Sequence, residues 1–326
     1  MTLEHWRVTA MATAFLSAAS VGVSCGGNAR SSFGNDDGGH DASGGGDGAR
    51  GPDGGMKPTD GGFRLGSDSG DSSSMTTDTG PPPMTAVVYA ESPNTLYKLD
   101  PITNAITIVA PFTGDCAARS DCDGVIDIAL DEMSNGYATT FGAIYSFDPT
   151  TAVTKFIAKG PYPNSLSFVP KGTLDPSVEA LVGYDSAVYI RIDPTTGVIT
   201  PVGKLTGGYT SSGDIVSVIG GGTFLTVHGP GCNVSDCLLQ VDPKTGDIIQ
   251  NYGSVNHSSV FGLAFWGGIA YGFDNTGQVF SITFPGGKLL ATDIAIPGGG
   301  PGQFYGAGST TSAPPKQADG GGIPIK

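Results

Sequence analysis

The sequence predicts an all-β fold: a five-bladed β-propeller closed by a C-terminal strand that joins the first blade. Three observations carry this expectation. A strand–turn–strand phrase built on Asp-Pro recurs along the chain, its copies are almost evenly spaced, and apolar extended segments fill the intervals.

The phrase is clearest in VYIRIDPTTGVITPVG, residues 188–203. Val188, Ile190 and Ile192 alternate with Tyr189 and Arg191, the two-residue period of a strand with unequal faces. Asp193-Pro194-Thr195-Thr196-Gly197 supplies the turn. Pro194 presets its own φ, the Asp193 carboxylate can accept from a nearby N–H, and Gly197 tolerates a positive φ. Val198, Ile199 and Val202 restart the extended run, with Pro201 suited to a strand end or edge.

Further copies begin at Leu96, Ile144 and Leu238. The pairs Asp100-Pro101, Asp148-Pro149, Asp193-Pro194 and Asp242-Pro243 therefore fall at intervals of 48, 45 and 49 residues, and Gly246 matches Gly197. A degenerate fifth copy, VFSITFPGGKLLATDI, has Pro285 close to the turn. Periods of about 40–50 residues with several short strands per unit belong to propeller blades. Residues 262–265 with 268–273, and 124–130 with 136–139, supply the other strands. The first unit starts near Ala86 without an innermost strand of its own, and residues 302–309 can supply it. Both termini then meet and the ring has no open edge. The propeller is expected over 86–312, before a disordered tail at 313–326.

The phrases LYKLDPITN, IYSFDPTTA, VYIRIDPTTG and LLQVDPKTG resemble the LYxIDPxTG repeat of extracellular β-propellers, quinoprotein-like and lactonase-like propellers among them. The resemblance implies the scaffold. It implies no single activity, because propellers carry many unrelated functions.

Residues 1–24 read as an export signal. Met1 to Arg7 is short and near neutral, and Val8 to Ser24 is apolar or small, too short and too mild for a membrane span. Cys25 follows directly, and Val23-Ser24-Cys25 resembles the bacterial lipoprotein box, with Gly22 in place of its preferred leucine. Lipidation at Cys25 is the expectation, with ordinary secretion and a buried N-terminal helix as rivals.

Removing Cys25 leaves Cys116 with Cys122 and Cys232 with Cys237, two close pairs in polar segments. In an oxidising compartment these read as disulfides that rigidify small loops. Neither pair has CxxC spacing, which argues against a four-cysteine metal site.

Residues 25–85 form a different polymer, dominated by Gly, Ser and Asp. Large apolar side chains are too few there to offset the entropy of ordering, so a tether is expected, stiffened at Pro81-Pro82-Pro83. Its Asp-Gly pairs match neither an EF-hand loop nor a regular nonapeptide repeat, so calcium binding is not expected there.

Catalytic signals are sparse. His5 and His40 fall in the signal and tether, which leaves His228 and His257. His257-Ser258 raises a nucleophile–base pairing, but adjacency in sequence does not create that geometry. No GxSxG or HExxH occurs. Acidic residues make the stronger enzyme case. Asp127, Asp131, Asp185, Asp214 and Asp274 lie near candidate inner strands or blade beginnings. A lactonase-like propeller would gather such groups around an axial calcium that polarises an ester and activates water. Their registers do not coincide, so turn formation and solubility explain most of them. Tyr209, Phe261, Trp266, Tyr271 and Phe304 are candidates for a recognition surface or for packing between blades.

The chain carries 30 acids against 16 basic residues, for a net charge of −14. Residues 26–85 contribute nine acids and four bases, so most of the excess lies elsewhere. Nucleic-acid binding, which needs a basic surface, is excluded on this ground. The expectation is a non-enzymatic, monomeric outer-membrane lipoprotein, facing the periplasm or cell surface, whose propeller binds a protein, peptide or glycan. No metal or cofactor is expected. A calcium-dependent hydrolase and a structural envelope protein are the alternatives. The arrangement resembles surface lipoproteins of Gram-negative bacteria with Gly-Asp linkers.

Overall fold

The computed structural model describes residues 88–314. The signal segment, Cys25, the 25–85 tether and residues 315–326 of the expected tail lie outside the described residues.

Five antiparallel sheets follow one another around a ring. Blade 1 contributes β1 (Val88–Ser92), β2 (Thr95–Leu99) and β3 (Ile106–Pro111). Blade 2 is built from β5 (Asp127–Leu130), β6 (Gly136–Thr139), β7 (Ala143–Phe147) and β8 (Val153–Lys159), while β4 (Thr113–Gly114) pairs in parallel with the outer edge of β8. Blade 3 holds β9 (Leu166–Val169), β10 (Ala180–Asp185), β11 (Val188–Ile192) and β12 (Ile199–Lys204). Blade 4 holds β13 (Thr210–Val218), β14 (Gly222–His228), β15 (Cys237–Val241) and β16 (Ile248–Ser254). Blade 5 holds β17 (Val260–Trp266), β18 (Ile269–Asp274), β19 (Val279–Thr283) and β20 (Leu290–Ile294). The last strand, β21 (Gly306–Ser309), pairs with β1 from Val88↔Ser309 to Glu91↔Gly306 and completes blade 1. The ring is closed.

Each adjacent pair of blades encloses an apolar core. Tyr89, Leu96, Ile128 and Tyr145 pack between blades 1 and 2, and Ile144, Leu166 and Ile190 between 2 and 3. Tyr184, Ile215 and Leu239 join blades 3 and 4, and Val216, Phe265 and Phe280 join 4 and 5. Val88, Phe273 and Phe304 close the circle from blade 5 to blade 1. Trp266 packs against two of these cores, and Tyr271 and Phe304 are buried in one. These three therefore serve packing between blades, where aromatic area is most useful.

The Asp-Pro turns share one construction. The carbonyls of Asp100, Asp148, Asp193 and Asp242 accept from the N–H four residues on, at Asn104, Ala152, Gly197 and Gly246. Those four residues have positive φ (58°, 54°, 70° and 74°), the region glycine enters without steric cost. Each aspartate side chain accepts from the N–H two residues later, across the proline, at 2.7–2.8 Å. Tyrosines of the preceding blade boundary hold two of the turns: Tyr162 donates to the Gly197 carbonyl, and Tyr184 to that of Gly246.

Strand direction gives the ring two faces. The innermost strands begin at the upper face and end at the lower face, where the Asp-Pro turns also lie. After β21 the chain crosses the lower face. Thr310 bridges to Leu130, the Thr311 carbonyl accepts from Ile219 N–H, its hydroxyl bonds Glu179, and Ala313 is buried in the blade 4–5 core.

Candidate functional site

Both disulfides are present and both lie on the upper face. Cys116–Cys122, with Cα atoms 5.2 Å apart, closes part of the blade 1–2 connection, and Cys232–Cys237, at 5.5 Å, closes the loop between β14 and β15. The second loop projects Val234, which is 94% exposed. Tyr209 stands beside it: its hydroxyl donates to the Pro230 carbonyl and accepts from Asn251 Nδ2. Phe261 and Tyr305, with ring centroids 6.2 Å apart, are two further half-buried aromatics of this face.

The two histidines of the described residues are engaged by carboxylates rather than by serine. His228 Nε2 lies 2.7 Å from Oδ1 of the buried Asp236. His257 is clamped between Asp274, at 3.1 Å from Nδ1, and Asp293, at 3.0 Å from Nε2. Its ring stacks on Phe280 at 3.8 Å and 2°. A nucleophile–base pair of His257 with its neighbour Ser258 is not what the fold builds.

Of the five aspartates considered for an axial centre, two reach the axis. Asp127 opens β5 and Asp214 lies within β13, and both are 0% exposed. Asp131 instead accepts from Met133 and Asn135 N–H in a lower-face turn. Asp185 is exposed at the end of β10. Asp274 accepts from Thr276 and Gln278 N–H, besides pairing with His257.

A third axial carboxyl is one that no motif in the sequence marks: Glu91 of β1, also 0% exposed. It reaches inward because its partner on β21 is Gly306, whose missing Cβ would strike Glu91 Oε1 and Asp127 Oδ1. Asp214 accepts from Ile215 and Leu263 N–H, each at 2.6 Å, and from Leu166 N–H at 3.4 Å. Asp127 Oδ1 accepts from Ile128 N–H at 2.8 Å. Burial pushes all three carboxyls well above the usual range. The nearby Asp214 charge adds to this for Glu91 and Asp127, whereas the backbone donors oppose it for Asp214. Among the described residues, no group of three or more His, Cys, Asp or Glu is spaced to hold a metal ion.

No protein-family model matches the chain. No curated protein matches it either. Solved structures do show distant likeness. A chain of the nidogen/laminin complex has a TM-score of 0.45 at 11% identity, covering 70% of this chain and all of that one. BamB from Moraxella catarrhalis gives 0.31 at 9%, covering 64% of this chain and 61% of its own. The PQQ-bound aldose sugar dehydrogenase from Streptomyces coelicolor gives 0.35 at 15%, covering 64% and 78%. These values are too low to carry anything about activity or partners.

Proposed function

We propose that the protein is a non-enzymatic exported scaffold, anchored by lipid at Cys25 and carried on the 25–85 tether, whose propeller binds a protein, peptide or glycan through its upper face. One observation carries this reading. Two disulfide-closed loops share the face on which Tyr209, Phe261, Tyr305 and the exposed Val234 lie, while the C-terminal segment crosses the opposite face. Loops fixed on a rigid ring with an apolar tip and aromatic side chains suit recognition, since little ordering entropy is lost on binding. A ring closed by β21 on β1 needs no second copy to complete it, which fits a monomer.

The axial carboxylates favour the hydrolase alternative only in part. Asp127 and Asp214 do converge with Glu91, but all three are sealed from solvent, so a substrate carbonyl has no route to them. A purely structural envelope role would leave the upper-face loops without a ligand.

The test uses the oxidised, full-length mature chain against peptide and glycan arrays, beside a panel of esters and lactones with calcium. Saturable binding that Val234→Asp weakens at least about tenfold is expected. Turnover of an ester or lactone that Asp214→Asn abolishes would replace this reading with the hydrolase. Labelling with radioactive palmitate, lost in Cys25→Ala, checks the anchor.

A further inference from the structure

Four inner strands bring one level of the axis into register. The residue after Asp127, Ser165, Asp214 and Gly262 is in each case Ile128, Leu166, Ile215 or Leu263, and each of these N–H groups points to the Asp127 or Asp214 carboxylate. Glu91 enters the same space past Gly306. Three carboxyl groups therefore meet where no water-exposed surface remains.

Their hydrogen bonding is incomplete in a specific way. Both Glu91 oxygens, Asp127 Oδ2 and the Ser165 hydroxyl have no partner among the described residues. The elements packed around them offer no cation: Ser165 stands just before β9, β17 presents Gly262 and β21 Gly306, and none of the ion pairs among the described residues includes Glu91, Asp127 or Asp214. Three uncompensated charges confined in a buried space would cost far more than the fold can supply. The charge has to be removed, by protons or by a cation from outside. The spacing does not suit a metal ion.

The donors say which group keeps its charge. Asp214 accepts three backbone N–H groups from three different blades, the environment that stabilises a carboxylate. Asp127 Oδ1 already accepts from Ile128 N–H, so a proton on this carboxyl sits on Oδ2, which has no partner among the described residues, and the neighbouring Asp214 charge favours keeping it there. Neither Glu91 oxygen has a partner outside its own residue among the described residues.

We infer that the axis is a proton-held lock: near neutral pH Glu91 and Asp127 are carboxylic acids, Asp214 is the carboxylate, and the ring loosens when the two protons leave. Opening releases those protons to solvent and leaves three carboxylates; nothing else is consumed. The lock joins every blade, because Glu91 belongs to blade 1, Asp127 to blade 2 and Asp214 to blade 4, while Leu166 and Leu263 tie in blades 3 and 5.

The direction of the pH effect follows from the burial-driven rise of all three groups. In the unfolded chain these carboxyls ionise near pH 4, whereas the folded ring keeps its protons to higher pH. Their contribution is complete below the unfolded values and is lost as pH rises through the folded ones.

The experiment follows thermal unfolding of the full-length oxidised chain from about pH 6 to about pH 9. It is run with a chelator, then with calcium, for the wild type and for Glu91→Gln with Asp127→Asn, whose amides copy the neutral acids but cannot ionise. The wild-type Tm is expected to fall by at least about 4 °C across this range, and that of the double variant by less than half as much. Infrared spectra of the folded wild type should show a protonated-carboxyl C=O band at the lower pH that fades at the higher one. This readout decides the question even if the double variant does not fold. A missing band overturns the inference. So does a calcium-induced rise in Tm near neutral pH that the double variant lacks, which would make a cation the neutralising partner.

Discussion

The lower rim and the axis of this ring use the same side chain for opposite purposes. At the rim, Asp100, Asp148 and Asp193 sit in turns near solvent, where hydrogen bonds hold their carboxyls below the usual range. These come first from backbone N–H groups for Asp100 and Asp193, and first from the Thr150 hydroxyl, then its N–H, for Asp148. On the axis, burial raises Asp127 and Asp214 in spite of comparable N–H donors. The number of donors does not separate the two cases, since Asp214 accepts three and Asp193 two. Solvent does. A rim carboxylate keeps part of its hydration while gaining hydrogen bonds, whereas an axial one loses its hydration and faces its own kind.

The comparison is most exposed to failure at Gly306, where a single missing side chain makes room for the axial carboxyls. A methyl group there meets Glu91 Oε1 and Asp127 Oδ1 and, behind them, the Asp127 backbone at 2.8 Å. Nothing in so closed a space can yield cheaply, and Gly306→Ala is expected to cost about 3 kcal/mol. Chemical denaturation at neutral pH checks it. If the variant unfolds at the wild-type denaturant concentration, the three carboxyls are not packed as described.

The rim was legible in the sequence and the axis largely was not, for a physical reason. An Asp-Pro turn is decided within five residues: Asp193 bonds Thr195, Pro194 sets φ, and Gly197 ends the turn, so repetition of the phrase displays both the blades and their number. The closing strand was legible too, because the first unit lacked an innermost strand and the tail offered one. The axis depends on side chains brought together from the two ends of the chain. Glu91 looks like an ordinary strand acid until Gly306 is known to pair with it, and Asp127 resembles Asp131 and Asp185 until the inner register is fixed. A local hint existed, in the acid that interrupts the buried run Val88-Tyr89-Ala90. The clamp on His257 was hidden for the same reason, since Asp293 lies on the outermost strand of its blade.

A smaller effect is expected at the rim itself. Gly197 has φ +70°, and a Cβ there would meet the Tyr162 hydroxyl and the Ala158 side chain. Gly197→Ala combines left-handed strain with a crowded blade boundary and should cost about 2 kcal/mol. Ala152 occupies the matching place in blade 2 with φ 54°, so the conformation is tolerated where the surroundings are built for a methyl group. Replacing Ala152 by Gly in the same experiment separates the two contributions: relief of strain raises the unfolding midpoint, and loss of its core contacts lowers it.

The smallest expected effect tests the sign of the comparison. Asp193 accepts from Thr195 N–H at 2.8 Å and Thr196 N–H at 3.0 Å, and these donors hold its carboxyl low. Its contribution is therefore present above the unfolded value near pH 4 and lost as pH falls through the lower folded value. An asparagine keeps an acceptor oxygen for both N–H groups and does not titrate in this range. Asp193→Asn should unfold within about 2 °C of the wild type at neutral pH and lose less stability than the wild type between about pH 5 and about pH 3. The axial pair should behave in the reverse manner, insensitive on the acid side and sensitive on the alkaline side. A rim variant that flattened the alkaline limb would show that the two classes of carboxylate are not separate. Movement confined to the acid limb would keep the rim carboxyls, held low by hydrogen bonds near solvent, separate from the axial ones, raised by burial and by one another's charge.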